Sequence, residues 1–78
     1  MQSANEDTAV IVQAEHRDAV TNIEAIVRVE GVDGVLIGPY DLSASLGLPG
    51  AVDHPEVRGA IDRVRTACLA AGVPLGIF

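Results

Sequence analysis

Apolar residues along the chain fall into two rhythms. The segment "TAVIVQAE" (8–15) is β-branched and almost continuously apolar, which predicts a strand buried on both faces. "RDAVTNIEAIVRVEG" (17–31) instead spaces Ala19, Val20, Ile23, Ile26 and Val27 for one helix, with Gly31 as its C-terminal cap. "DGVLIG" (33–38) reads as a second short buried strand. "DLSASLG" (41–47) reads as one or two helical turns that Asp41 can cap, with Ser43 and Ser45 suited to a short helix start. After the loop "LPGAVD", residues 54–72 predict a longer helix. His54 is placed at its N-cap, Pro55 opens it, and Gly72 closes it. Val57, Ile61, Val64, Cys68 and Leu69 make its apolar stripe. "VPLGIF" (73–78) begins a third strand.

Strands that alternate with helices pair in parallel through right-handed crossovers, so the expected class is α/β. Three parallel strands make neither a closed barrel nor a comfortable open sheet, because all-parallel sheets are covered on both faces. At 78 residues the chain is about half the usual domain size. It is therefore expected to be a piece of a larger α/β protein.

Composition narrows the function. The net charge of −6 argues against nucleic acid and against an anionic membrane surface. The apolar runs fall far short of the roughly 20 residues that span a bilayer. "MQSANEDTAV" lacks the basic and apolar regions of a signal peptide. A single cysteine, Cys68, excludes an internal disulfide, and a reduced cytoplasmic setting is the default expectation. Cys68 itself reads as a buried structural residue.

In parallel α/β sheets, sites form where strands run out into loops at their carboxyl ends. The first such end carries "QAEH" (13–16) and the second "GPYD" (38–41). Neighbouring strands lie about 4.8 Å apart, so Glu15 and Asp41 could converge on one point. Two close carboxylates repel unless one takes a proton or both share a cation, and a hard divalent ion suits such a pair. The competing reading, equally open from spacing alone, is that both merely cap the helices that follow. In "GPYD", Gly38 permits close backbone approach and Pro39 stiffens the turn. The amides of Tyr40, Asp41 and Leu42 then stand at a helix start that favours an anion, such as a substrate carboxylate. An ordinary strand-to-helix turn has the same sequence. "HRD" (16–18) matches a kinase triplet without any of its required context, and His16 reads as an exposed loop residue. Ser43 and Ser45 have no histidine partner that would make either a nucleophile.

Taken together, "VQAE", "AVTNIEAIVRVEGVDGVLIGPYDLSASLG", "HPEVRGAIDRV" and "AGVPLGIF" resemble the HpcH/HpaI aldolase family, the class II, metal-dependent pyruvate aldolases. The resemblance runs from about Asn5 to Phe78. Its most specific part is G-x-D-G-V-x-I-G-P-x-D-L-S-x-S-x-G at the right distance after Q-x-E. It implies a TIM (β/α)₈ barrel, of which residues 1–78 are roughly strands 5 to 7 with their helices, lacking the N-terminal half and the last strand and helices. It implies that Glu15 and Asp41 ligate Mg²⁺, Mn²⁺ or Co²⁺, with Gln13 in support. It also implies that the turn at Gly38, Pro39, Tyr40 and Asp41 receives the carboxylate of pyruvate. The reaction implied is reversible aldol cleavage of 4-hydroxy-2-oxo acids to pyruvate and an aldehyde, in a homo-oligomeric, hexameric parent enzyme. No Schiff-base lysine is expected, and the chain contains no lysine. The family's catalytic histidine and arginine come from earlier strands, so no catalytic residue is expected among these 78, and the chain alone is expected to be inactive. Two rivals remain: an acyl-CoA lyase of the citrate-lyase β-chain group, and a non-catalytic α/β binding module.

Overall fold

The computed structural model describes residues 10–78. Its element order is β1 (Ile11–Ala14), α1 (Arg17–Thr21), α2 (Ile23–Ile26), β2 (Gly34–Ile37), α3 (Pro39–Ser45), α4 (Pro55–Ala71) and β3 (Leu75–Ile77). The three strands form one parallel sheet in the order β1-β2-β3. The part of the first expected strand at Thr8 and Ala9 lies outside the described residues.

Register decides which side chains share a face. Val12 pairs with Val35 and Val35 with Leu75; Ala14 pairs with Ile37 and Ile37 with Ile77. Ala14, Val35 and Ile37 from this face are buried against Val20, Ile23, Val27, Leu42, Val64, Ala67 and Cys68 of the helices. The opposite face carries Ile11, Gln13, Leu36 and Gly76, and no described helix covers it. Ile11 is accordingly 47% exposed. The strands are thus buried on one face, where the sequence pattern predicts burial on two.

The helix expected over 17–31 is divided. Asn22 separates α1 from α2, and both its backbone N–H and its side-chain amide donate to the Asp18 carbonyl, at 3.1 and 2.9 Å. Thr21 Oγ1 donates to the Arg17 carbonyl as well. Side chains that bond back to the preceding turn compete with the backbone ladder and bend helices. The helical path is capped at Val27, and Gly31 (φ 101°) turns the chain later, in the loop before β2.

α4 follows its sequence signals closely. His54 Nδ1 accepts from the Glu56 N–H at 3.1 Å, Pro55 fills the first turn, and Gly72 ends the helix in the left-handed conformation (φ 71°). Only Leu69 departs from the expected stripe. It is 76% exposed, and Ala67 takes the buried place beside Cys68. Arg63 fastens α4 to the first helical pair by donating to both carboxylate oxygens of Glu24 (3.3 and 3.0 Å) and to the Thr21 carbonyl (3.1 Å). That hydrogen bonding holds the Glu24 carboxyl below its ordinary pKa.

Candidate metal and carboxylate site

Glu15 leaves the end of β1 and Asp41 lies in the first turn of α3, just after β2. Gly38, between β2 and α3, is the point on which they converge. A Cβ built on Gly38 would lie 3.3 Å from Glu15 Oε2 and 3.4 Å from Asp41 Oδ2. The two oxygens therefore flank one small space that only a glycine leaves open. Gly38 has ordinary extended dihedrals (φ −108°, ψ 96°), so its role here is steric and its backbone is unstrained.

Neither carboxylate serves as a helix cap. His16 is the N-cap of α1, its Nδ1 accepting from the Asp18 N–H at 3.2 Å. Gly38 holds the N-cap position of α3, Pro39 is its first residue, and Asp41 stands further in, without a capping bond. The capping role expected for Asp41 is corrected by this offset: Gly38 takes the N-cap position, three residues earlier in the chain. Among the described residues, neither carboxylate accepts a hydrogen bond or forms an ion pair. Two carboxylates near one point repel unless they share a proton or a cation, and a small hard cation suits such a pair. Among the described residues no group of three or more His, Cys, Asp or Glu gathers. An ion there would have two ligands from these residues and fill its other positions with water and substrate oxygens, as Mg²⁺ commonly does.

The turn beside this space is narrower in function than its sequence implies. Leu42 donates its amide to the Gly38 carbonyl at 2.9 Å, so that amide belongs to the helix. Pro39 has no N–H. The amides of Tyr40 and Asp41 are the ones without a bonded acceptor among the described residues. The Tyr40 side chain is 67% exposed, and the residue contributes its backbone: its carbonyl accepts from Ser43 Oγ at 2.7 Å.

Ser43 and Ser45 are placed late in α3 rather than at its start, and both are spent on hydrogen bonds. Ser43 is fully buried and also accepts from the Gly50 N–H at 3.2 Å. Gln13 lies on the same open face as Glu15, one pleat repeat below it and opposite Leu36. It is exposed and makes no hydrogen bond to either carboxylate among the described residues.

One residue at the site escaped the sequence pattern. Phe78 Cζ lies 3.1 Å from the same Gly38 Cβ position. The ladder explains why: Ala14, Ile37 and Ile77 are aligned, so the residues that follow them, Glu15, Gly38 and Phe78, occupy the same row. The Phe78 N–H donates to the Ile37 carbonyl at 3.0 Å and fixes that row. The available signal was a lone phenylalanine at a third strand end, where the other two ends already carried the candidate residues.

A concavity of about 450 Å³ lies elsewhere. Pro39, Val52, Asp53, Arg58, Ile61, Asp62 and Arg65 line it, and it includes neither carboxylate. No described helix is long and apolar enough to cross a membrane.

Known proteins agree with this architecture. The model of the HpcH/HpaI aldolase/citrate lyase family matches residues 1–78. A 2-keto-3-deoxy-L-rhamnonate aldolase of Salmonella paratyphi B is 51% identical over 76 residues, covering 92% of this chain and 28% of its own. The crystal structure of an HpcH/HpaI aldolase/citrate lyase family protein from Burkholderia cenocepacia superposes with a TM-score of 0.95 at 48% identity, over 99% of this chain and 30% of that one. The HpcH/HpaI aldolase of Desulfitobacterium hafniense gives 0.85 at 40% identity, over 95% and 29%. The chain thus spans less than a third of the length of these relatives, and its strands and helices are a section of a TIM barrel. Its sequence and its fold lead to one conclusion: the chain belongs to the HpcH/HpaI aldolase/citrate lyase family.

Proposed function

We propose that these residues supply the metal-binding pair and the carboxylate-binding turn of a divalent-metal-dependent aldolase, one that cleaves and forms the C–C bond of 4-hydroxy-2-oxo acids to give pyruvate and an aldehyde. The observation that carries the reading is the convergence of Glu15 Oε2 and Asp41 Oδ2 on the space above Gly38, with neither carboxylate in an ion pair among the described residues.

In this reading Glu15 and Asp41 hold the cation, which is Mg²⁺, Mn²⁺ or Co²⁺. A divalent cation bound there supplies Lewis-acid stabilisation of the charge that develops on the 2-oxo oxygen as the C–C bond breaks. The amides of Tyr40 and Asp41, beside the open Cα of Gly38, receive the substrate carboxylate, and Pro39 keeps that turn stiff. Gln13, on the same face, supports Glu15 from below. The Phe78 ring borders the space on its third side. No residue here carries the proton transfer, and no lysine is present to form a Schiff base. The residues for proton transfer belong to other strands of the barrel, whose interior is the face of Ile11, Gln13, Leu36 and Gly76 left bare here. A homo-oligomeric, hexameric, cytoplasmic enzyme completes the reading, and the buried free thiol of Cys68 accords with a reducing compartment.

The test is retro-aldol release of pyruvate from 4-hydroxy-2-oxo acids with Mn²⁺ or Mg²⁺, in the polypeptide that carries these residues. Glu15→Gln and Asp41→Asn should each abolish metal-dependent turnover. Parent-like rates and metal dependence in both variants would sink the reading.

A further inference from the structure

The two strand-end turns that carry Glu15 and Asp41 are joined by a single hydroxyl. Ser45, the last residue of α3, accepts from the Arg17 N–H at 3.0 Å and donates to the Leu42 carbonyl at 2.9 Å. Arg17 is two residues beyond Glu15, and Leu42 is the neighbour of Asp41. A serine hydroxyl has one proton to give and two lone pairs to accept, so both bonds form at once. Among the described residues, no other hydrogen bond beyond the strand ladder links the 15–21 segment to α3.

We infer that Ser45 is a positioning residue for the paired carboxylates: its hydroxyl bridges the α1 start to α3 and thereby sets the separation of Glu15 from Asp41. The inference rests on the metal reading above. Both oxygens approach the Gly38 position within 3.4 Å, and each is carried on a short element. α1 has five residues and α3 seven, too few for a stable helix without outside contacts. A relative shift of these elements moves one carboxylate away from the other, and cation affinity depends on the two being held together. Arg17 N–H is one of the free amides of the α1 first turn. Its partner comes from another strand–helix unit rather than from a local cap, which makes the bond a cross-brace.

The bond can be cut from either side. Ser45→Ala removes the acceptor. Arg17→Pro removes the donor at the first helical position, where proline is well accepted, and His16 before it already has the extended conformation that precedes proline (φ −133°, ψ 147°). Mn²⁺ alone would be titrated calorimetrically into the polypeptide carrying these residues, with metal-free thermal stability measured in parallel. Ser45→Ala and Arg17→Pro should each weaken Mn²⁺ binding about tenfold or more, the range typical of residues that orient metal ligands. Ser45→Thr, which keeps the hydroxyl, and Arg17→Ala, which keeps the N–H, should bind like the parent. The double variant should be no worse than either single one. Should Ser45→Ala fail to fold, Arg17→Pro against Arg17→Ala decides the question alone. Parent-like Mn²⁺ affinity in the folded bond-cutting variants, alongside lost affinity in Glu15→Gln, overturns the role of Ser45 and leaves the metal pair standing. Unchanged affinity in Glu15→Gln overturns the metal pair, and the positioning role with it.

Discussion

Glu15 and Asp41 stand at the ends of different strands, yet a carboxylate oxygen of each lies within 3.4 Å of one point above the Gly38 Cα. Parallel pairing of β1 with β2 brings the two strand ends level, since Ala14 is aligned with Ile37. Gly38 leaves the intervening space open, and Phe78 borders it from β3. The arrangement gives Gly38 a strict steric role.

Gly38→Ala should therefore damage the site while sparing the fold. Its dihedrals suit any residue, but the new methyl would sit 3.1 Å from Phe78 Cζ and against both carboxylate oxygens. We expect a loss of Mn²⁺ affinity of roughly tenfold or more, with an unchanged far-UV circular dichroism spectrum. Parent-like affinity would show that the oxygens do not meet over this residue.

Ser43 differs from Ser45 in what it holds. Its buried hydroxyl donates to the Tyr40 carbonyl and accepts from the Gly50 N–H, tying α3 to the loop that follows. Ser43→Ala leaves the Gly50 amide without its acceptor, at an expected cost of about 1–3 kcal/mol in urea denaturation. A neutral result would mean that water replaces the hydroxyl.

Ile37 lies at the centre of the buried sheet face and is fully enclosed, whereas Leu69 projects from α4 into a groove at the β3 side. Ile37→Ala should cost about 2–5 kcal/mol through the cavity it leaves. Leu69→Ala, at a position 76% exposed, should cost no more than the roughly 0.5 kcal/mol usual for surface positions. Chemical denaturation of the two variants checks both expectations.

The Glu24–Arg63 pair sets a pH dependence. Arg63 donates to the Glu24 carboxylate and lowers its pKa in the folded protein. A lowered folded-state pKa contributes stability at pH values above the ordinary carboxylate pKa. That contribution is lost as the pH falls through the folded-state value. The stability difference between the parent and Glu24→Gln should thus be present at neutral pH and vanish in acid. It should also shrink with added salt, because both side chains are half exposed. A difference that persists below the carboxylate range would assign the effect to packing.

Burial pushes the Cys68 thiol above its ordinary pKa, and the side chain is enclosed by the helix–sheet core. Alkylation at neutral pH should be slow in the native protein and rapid in denaturant, since the thiolate is the nucleophile. Fast native-state labelling would show that α4 opens readily from the sheet.

Local chemistry made much of this legible in advance. His54, Pro55 and Gly72 delimit α4 because caps are interactions between residues a few positions apart, and those three do what their spacing predicts. The alternation of strands with helices led directly to a parallel sheet, since connections of this length cross over rather than turn back. It also put Glu15 and Asp41 at strand ends. Less was legible where two local signals competed. The apolar spacing of 17–31 is continuous, but the side chains of Thr21 and Asn22 bond back and divide the helix. Likewise, Asp41 reads locally as the cap of α3, but the helix starts directly after β2 and Gly38 takes that position.

By itself, then, the sequence determined the alternation of strands and helices, the ends of α4 and the placing of two carboxylates at strand ends, because periodicity and capping act over a few neighbouring residues. Tertiary structure alone decided that both carboxylates meet over Gly38, that Phe78 joins them, that Leu69 faces outward and that Ser45 reaches Arg17. Each of those depends on strand register and on elements packing across the sheet. The residues concerned are brought together only when the whole ladder forms, and no window of sequence contains them.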